Sequence, residues 1–272
     1  MRRLLLLPLP CLLAACRDGG VLDPQGPIAG AERLILINAT AIMLVVVVPV
    51  ILLTLAFAWY FRAGNARATY RPDWSYSGQI EMVVWSIPAL VVILLAAVGW
   101  TGSHRLDPAR PIECRGAPLR IQAVSLDWKW LFIYPEQHLA LLNELLIPAG
   151  VPLEFETTSA TVMNAFFIPQ LGSQIYTMPG MTTHLNLLAE RPGEYVGFSS
   201  HFSGDGFPDM RFAVHAVPAA QFSARLEQLR AGAQALDSAA RAALAARAAE
   251  PVRVFRDADP QLYAQLLRSS VQ

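Results

Sequence analysis

Two long apolar segments near the N-terminus constrain the fold of this 272-residue chain more than any other feature. In residues 34–61 the only strongly polar side chain is Asn38, and residues 80–101 contain a single ionisable residue, Glu81, near their start. A helix that crosses a bilayer needs about 20 predominantly apolar residues, and both segments reach that length. We therefore predict two transmembrane helices that form a helical hairpin.

The charges between the two segments predict their orientation. The connecting residues 62–79 contain Arg62, Arg67 and Arg71 but only one acidic residue, Asp73. Loops rich in Lys and Arg remain on the cytoplasmic side of the membrane. We therefore expect residues 62–79 in the cytoplasm. The N-terminus and everything after the second span should lie on the periplasmic side of a bacterial inner membrane.

The composition excludes several classes of protein. The 21 basic and 21 acidic residues give a formal net charge of zero, and the sequence has no dense basic tract, so we expect no nucleic-acid partner. Charged residues make up 15% of the chain, below the roughly 25% of soluble domains, which agrees with a membrane protein. The three cysteines are too few for a disulfide framework.

Residues 1–15 have the pattern of a signal peptide. Arg2 and Arg3 precede an apolar stretch of about ten residues, which is too short to span a bilayer. The stretch ends in LAAC, with Cys16 last, and this ending resembles the cleavage box of bacterial lipoproteins. The resemblance implies cleavage before Cys16, a diacylglycerol on its thiol with acyl chains such as palmitate, and a periplasmic segment over residues 16–33. An ordinary signal peptide with an incidental cysteine is the alternative.

Residues 111–217 have the pattern of a β-sheet domain. Short stretches alternate apolar and polar residues, as in VPLEFE over residues 151–156 and RFAVH over residues 211–215. This period of two indicates half-buried strands, and turn-forming Gly and Pro residues separate them. Because no helical pattern lies between the strands, we predict an antiparallel β-sandwich or barrel with its own core.

Residues 218–272 form an extension with a different pattern. Phe222, Leu226 and Leu229 recur at helical spacing, and the alanine-rich residues 238–249 have high helix propensity. We therefore predict a helical C-terminal extension. The sequence leaves open whether these helices pack on the sandwich or on a partner, or whether the extension stays solvated.

Three segments of the chain have a distinctive residue order. They are IEMVVWSIP (residues 80–88), DWKWLFIYPE (127–136) and VMNAFFIPQLG (162–172). Taken together and in this order, they resemble subunit II of the haem-copper terminal oxidases, and the likeness covers nearly the whole mature chain. The resemblance implies a membrane α plus all-β architecture. Two transmembrane helices would precede a periplasmic cupredoxin-like antiparallel β-sandwich and a helical C-terminal tail.

The resemblance also implies where copper would bind. In the cytochrome c oxidases of this family, the sandwich holds two copper ions through two cysteine thiolates, two histidines, a methionine and a glutamate carbonyl. Alignment on the glycines and the methionine of the last ligand loop puts these residues at the ligand positions here: Asn164, Ser199, His201, Ser203, Phe207 and Met210. Only the methionine matches. Because a serine hydroxyl is hard and protonated, and phenylalanine has no lone pair, we expect no copper centre in this chain.

An oxidase subunit that cannot accept electrons from cytochrome c must belong to an enzyme with another donor. The missing copper ligands, the lipoprotein signal and the C-terminal extension resemble subunit II of bo-type ubiquinol oxidases. In that family, quinol delivers electrons within the membrane to haem in subunit I, where oxygen is reduced at a haem–copper pair and protons are pumped. The resemblance implies a respiratory subunit that is not catalytic alone and binds no cofactor. Its partners would be subunit I, further subunits and membrane lipids, but not cytochrome c.

Glu81 is the candidate for a proton-transfer role. Ionisable residues inside a span are costly and often belong to an ion or proton path. The charges of residues 62–79 place Glu81 at the cytoplasmic end of the second helix. The matching glutamate of the family lies at the mouth of a proton channel into subunit I, so the resemblance implies proton entry here. The alternative is a carboxylate that reaches the lipid headgroups at a helix N-terminus, where negative charge is favoured.

Trp128 and Trp130 have the same parity, so we expect both on one face of a strand. In the cytochrome c oxidases, aromatic residues here lie near the path of electron entry. With no copper beneath them, we interpret both as packing residues of the core or of an interface.

A copper-binding role is the main alternative function. The chain contains His184, His201 and His215 and several methionines, which a stand-alone membrane-anchored copper carrier of the envelope could use as ligands. Strand parity predicts that His184 and His215 face solvent, opposite to their apolar neighbours. We therefore expect these histidines to bind nothing.

Overall fold

The computed structural model describes residues 20–114, 116–259 and 261–270. These residues divide into two compact units. One unit is Leu34–Leu106, and the other combines the residues before and after it. The predicted signal peptide, residues 1–15, and the predicted lipidation site, Cys16, lie outside the described residues.

The first unit is built from the two predicted apolar helices, α1 (Pro27–Tyr60) and α2 (Gly78–Arg105). Both are long and apolar enough to cross a bilayer, and their most apolar windows are not buried by other parts of the chain. Helix α1 begins at Pro27, where the missing amide proton and the fixed φ of proline suit the first helical position. It starts several residues before the apolar segment, and its first residues belong to the second unit.

The second unit contains a two-sheet sandwich followed by the C-terminal extension. A seven-stranded sheet has the order β11-β12-β3-β2-β1-β5-β8, and a five-stranded sheet has the order β4-β10-β9-β6-β7. The strands are β1 (Leu119–Leu126), β2 (Lys129–Tyr134), β3 (Leu139–Leu142), β4 (Glu144–Ala149), β5 (Leu153–Ser159), β6 (Asn164–Phe167), β7 (Ile175–Thr177), β8 (Thr183–Leu187), β9 (Gly193–Ser199), β10 (Arg211–Pro218), β11 (Gln234–Ala235) and β12 (Arg253–Arg256). The extension also contains α3 (Ala219–Ala231), α4 (Ser238–Ala245) and α5 (Leu262–Ser269).

The cupredoxin-like sandwich confirms the predicted fold class, but the strand directions are mixed. Strand β1 pairs in parallel with β5, and β4 pairs in parallel with β10, whereas most other pairs are antiparallel. The alternation of apolar and polar residues reports which face of a strand is buried and carries no information about the direction of its neighbour. The prediction of a wholly antiparallel sandwich was therefore wrong in this respect.

Aromatic side chains fill the space between the two sheets. The ring of Trp130 contacts Phe166 edge to face at 5.3 Å between centroids, and Phe166 stacks on Phe212 at 5.4 Å. Phe132 and Phe155 complete the group, and all five side chains are buried. Edge-to-face and stacked pairs of this kind are favourable beyond their buried area. This core sets the spacing between the sheets and the positions of β6 and β10.

Most of the C-terminal extension packs on the outer face of the seven-stranded sheet, whereas Phe222 and Leu226 of α3 join the main core, so its docking does not require a partner chain. A second apolar cluster joins Leu131 and Ile133 of β2 to Leu244, Phe255 and other residues of the extension. Strand β2 is consequently buried on both faces.

The extension is not wholly helical as predicted. Strand β12 pairs antiparallel with β3, and β11 pairs with β12. The strand pattern of β12 is only four residues long, too short to be recognised from the sequence.

Candidate functional site

The six positions that we predicted to correspond to copper ligands lie around the β9–β10 loop, which we define as residues 200–210. Asn164 begins β6 and Ser199 ends β9, and the pairing of these strands brings the two residues together. Ser199 Oγ donates a hydrogen bond to Asn164 Oδ1 at 3.0 Å. Farther along the loop, Ser203 Oγ lies 3.9 Å from Met210 Sδ.

The two remaining positions have side chains that pack against neighbouring aromatic rings. The imidazole of His201 lies edge to face with Tyr176, with 5.8 Å between centroids. The ring of Phe207, in a short 3-10 helix, contacts Phe202 at 5.7 Å. The backbone carbonyl of His201 lies 3.2 Å from Ser199 Oγ and is a second acceptor within reach of the same hydroxyl. The structure therefore brings these six residues into one region.

The donor atoms in this region do not fit a copper centre. Asn164 and Ser199 are buried, with 1% and 3% of their surface exposed, and they use each other and backbone carbonyls as hydrogen-bond partners. Copper in such a site requires soft thiolate and imidazole ligands, and a protonated hydroxyl or a carboxamide supplies neither. Across the described residues, no three His, Cys, Asp or Glu side chains come close enough together to hold a metal ion.

The three histidines considered as copper ligands lie apart. His184 is on β8 and exposed, whereas His201 packs on Tyr176. His215, on β10 of the other sheet, is half-buried between two carboxylates, with Nε2 3.5 Å from Glu144 and Nδ1 3.7 Å from Glu194. Each histidine therefore has separate surroundings, and the described geometry does not assemble them into one cluster.

Trp128 and Trp130 do not share a strand face, so that prediction was wrong. Strand β1 ends at Leu126 and β2 begins at Lys129, so Trp128 lies in the hairpin turn between them. Its φ of 62° lies in the left-handed region that non-glycine residues seldom adopt. The parity rule holds only within a continuous strand. Trp130 is a core residue, as expected, whereas Trp128 is half-buried and donates from Nε1 to Ser203 O at 3.1 Å.

Glu81 lies in the first turn of α2, and its amide donates to Ser77 O at 3.0 Å. Its side chain is exposed in the isolated chain. A carboxylate is favoured at this place because the free amide groups of the first turn carry partial positive charge. This position is compatible with both roles considered for Glu81, proton entry and a headgroup contact.

Sequence reasoning missed Lys129, which is fully buried. Its Nζ donates to Ala246 O at 2.6 Å and to Ala248 O at 3.0 Å, both in the C-terminal extension. Burial lowers the pKa of the Lys129 ammonium, and the Glu250 and Asp127 carboxylates oppose that shift. Lysine is almost never buried without a partner, and the local sequence contains no signal for so distant a partner.

Sequence reasoning also missed the contact between the N-terminal segment and the sandwich. The backbone amide of Gln25 donates to Gln170 O at 2.7 Å, and the backbone carbonyl of Gln25 accepts from Glu190 N at 2.9 Å. A Cβ on Gly26 would lie 2.3 Å from the carbonyl oxygen of Leu188, so only glycine fits there. Residues 20–33 therefore belong to the same compact unit as the β9–β10 loop.

Comparison with known proteins identifies similar chains. A family profile described as "Cytochrome C oxidase subunit II, periplasmic domain" matches residues 133–217. Ubiquinol oxidase subunit 2 of Acetobacter aceti is 45% identical over 254 residues, which cover 93% of this chain and 82% of that protein. Cytochrome bo(3) ubiquinol oxidase subunit 2 of Pseudomonas aeruginosa is 44% identical over 259 residues, which cover 95% of this chain and 78% of that protein.

Among solved structures, the periplasmic domain of subunit II of cytochrome oxidase (CoxB) of Bradyrhizobium japonicum aligns at 23% identity with a TM-score of 0.42. The alignment covers 44% of this chain and 99% of that one.

Proposed function

The chain belongs to the ubiquinol oxidase subunit 2 family, and from that premise we propose that it serves its oxidase without a redox centre of its own. It is subunit II of a quinol oxidase, a complex that transfers electrons from quinol to oxygen. Quinol passes its electrons to subunit I, which carries the haems and the copper. Cytochrome c is not a donor. This chain contributes assembly, anchoring and proton collection.

The observation that carries the proposal is the hydrogen bond between Ser199 and Asn164. Both side chains stand at positions where relatives would need a thiolate and an imidazole, and here they satisfy each other. The hydroxyl keeps its proton for this hydrogen bond, and neither a protonated hydroxyl nor a carboxamide replaces the soft thiolate and the imidazole that such a copper site requires. The other four positions offer a hydroxyl, a phenyl ring, a packed imidazole and a thioether.

Copper analysis of this subunit, separated from the detergent-solubilised oxidase, tests the proposal. The expected result is less than stoichiometric copper in the separated chain, with copper retained by the haem-containing fraction. Stoichiometric copper in the separated chain would instead support the alternative of an envelope copper carrier, which membership of the oxidase family does not favour.

We also propose that Glu81 collects protons from the cytoplasm. Its carboxylate lies in the first turn of a helix long enough to span the membrane, next to the arginine-rich connector. An exposed carboxylate exchanges protons rapidly with bulk water, so it can supply protons to a transfer path that begins in a neighbouring subunit. The chemistry at the haem–copper pair stays in that subunit.

The membrane anchor is proposed to include a lipid on Cys16. Two helices already hold the chain in the membrane, so the lipid would fix the position of the N-terminal segment and is not needed for insertion. Replacing Cys16 with serine should abolish labelling by radioactive palmitate while the chain remains in the membrane fraction. Persistent labelling of Cys16→Ser would contradict lipidation at this residue.

A further inference from the structure

Trp128 lies in the turn between β1 and β2 and contacts the β9–β10 loop from there. Its Nε1 donates to Ser203 O at 3.1 Å. The indole lies directly against Gly206, where an added Cβ would come within 2.3 Å of Trp128 Cδ2. A Cβ added to Gly204, whose φ is +105°, would lie 3.5 Å from Trp128 Nε1. The loop therefore follows the surface of this one side chain over several residues.

The position of Trp128 depends on a turn that does not form by itself. The residue is the second of two in the β1–β2 turn and has a left-handed backbone. Non-glycine residues persist in this region only where the surroundings determine the conformation. The flanking residues Asp127 and Lys129 supply those surroundings, and both contact the C-terminal extension.

The extension is fastened at this turn by residues 246–250, which we call the bracing segment. The buried ammonium of Lys129 donates to the carbonyls of Ala246 and Ala248. Asn143 Nδ2 donates to Glu250 O at 2.7 Å, while Asn143 Oδ1 accepts from the amide of Trp130 at 2.8 Å. Hydrogen bonds to a buried charged group are among the stronger ones in proteins.

A third contact joins the bracing segment to the indole itself. Arg247 Cζ lies 5.8 Å from the centroid of the Trp128 ring, within the range of a cation–π interaction. Arg247 Nε also lies 3.6 Å from Asp127 Oδ2. Because the Arg247 side chain is 71% exposed, these contacts add to the anchoring by Lys129 but do not replace it.

We propose that the C-terminal extension braces the β9–β10 loop, and that it does so through Trp128. Lys129 and Asn143 bind the bracing segment through hydrogen bonds. The bound segment stabilises the β1–β2 turn and the position of Trp128. Trp128 in turn stabilises the loop. Lys129 is thus a positioning residue for a loop it does not touch. The loop includes four of the six copper-ligand positions, and the brace keeps it in one conformation by packing and hydrogen bonds rather than by metal–ligand bonds.

Hydrogen–deuterium exchange on the intact oxidase tests the proposal. The reporting amides are those of Phe207 and Asp209, which donate to Gly204 O and Gly206 O within the loop. In the bracing segment, the reporting amides are those of Ala246 and Ala248, which donate to Ala243 O and Ala246 O. In Lys129→Met, we expect exchange about 10- to 100-fold faster at these amides and in the loop, the range that corresponds to the loss of hydrogen bonds to a charged group. Arg225→Ala, an exposed arginine of α3, is the control and should change neither region.

A double-substitution cycle separates the brace from general destabilisation. Trp128→Ala should speed exchange in the loop while residues 246–250 keep most of their protection. Adding Lys129→Met to Trp128→Ala should then release residues 246–250 without further change in the loop, because the connection is already broken. If Lys129→Met alone frees the bracing segment and leaves the loop amides as slow as before, the proposal is overturned.

Arg247→Ala keeps the proposal testable should Lys129→Met fail to assemble. Its side chain is exposed, so folding does not depend on it. Loss of the cation–π contact and the exposed ion pair should speed loop exchange about two- to fivefold. Unchanged loop exchange in an assembled Arg247→Ala oxidase would also overturn the proposal.

Discussion

The hydroxyl of Ser199 donates to the side-chain oxygen of Asn164 at 3.0 Å, and both residues are buried at the end of the sandwich. The same hydroxyl is also within hydrogen-bond distance of the carbonyl of His201. Two positions that we predicted to correspond to metal ligands are here joined directly to each other by a hydrogen bond. The Ser199 hydroxyl and the Asn164 carboxamide therefore stabilise the folded domain, and their removal should lower its free energy of unfolding.

Ser199→Ala should lower the free energy of unfolding by about 1–3 kcal/mol, because it leaves the buried Asn164 oxygen without its donor. Ser203→Ala is the matched control, since within the described residues the only hydrogen-bond partner of the Ser203 hydroxyl is the weakly accepting sulfur of Met210 at 3.9 Å. Pulse proteolysis of this subunit across a urea gradient measures both. An equal loss in the two variants would contradict this account of the Ser199 hydrogen bond.

Glu81→Gln should slow quinol-driven oxygen consumption several-fold while the complex still assembles, because the amide cannot take up a proton. The loss should grow with rising pH, as protons become scarcer in bulk water. Asp73→Asn, an exposed carboxylate of the connecting loop, is the matched control and should leave turnover unchanged. Turnover of Glu81→Gln equal to that of the unmodified oxidase at every pH would rule out the proton-entry role.

Gly26→Ala should detach the N-terminal segment from the sandwich. The new methyl group would overlap the carbonyl oxygen of Leu188. Because this oxygen belongs to the backbone, rotation of a side chain cannot relieve the overlap, and the N-terminal segment itself must shift. We expect a loss of about 1–3 kcal/mol in pulse proteolysis. Gly30→Ala, one helical turn later, meets no atom within 4 Å and should be neutral or slightly stabilising. Similar losses in both variants would show that the close approach at Gly26 is unimportant.

Alkaline pH should loosen the C-terminal extension through Tyr263. Burial raises the pKa of Tyr263 to about 12, against the opposing hydrogen bond with Thr182. In the unfolded chain the phenol ionises near pH 10, so between about pH 10 and 12 the unfolded state loses the proton that the folded state keeps. Stability contributed by this group is complete below pH 10 and is lost as the pH rises through 12.

Tyr263→Phe tests this assignment because it removes the ionisable group and keeps the ring. The fall in thermal midpoint between pH 10 and 12 should be shallower in the variant than in the unmodified oxidase. An identical pH dependence in the two proteins would mean that other groups cause the alkaline loss.

Local patterns predicted the parts of the fold that local physics determines. The apolar helices follow from length and composition alone, because each must satisfy its backbone hydrogen bonds internally. The strands follow from parity: Leu153 and Phe155 are buried, whereas Glu154 between them is not. The residues at the copper-ligand positions remain a prediction that rests on the spacing supplied by the resemblance.

Contacts between distant parts of the chain could not be predicted in this way. Lys129 is buried because its hydrogen-bond acceptors are carbonyls more than one hundred residues later in the sequence. Strand β12 exists because β3 presents an open edge to it. The left-handed turn at Trp128 likewise depends on what surrounds it. No window of neighbouring residues contains these relationships.

In this complex, electrons should reach oxygen without passing through this chain. The most direct measurement compares oxygen consumption by one preparation of the purified oxidase with ubiquinol and with reduced cytochrome c as the donor. If the proposal is right, turnover should be rapid with ubiquinol and should not exceed background with cytochrome c. Rates with cytochrome c that match those with ubiquinol would contradict it.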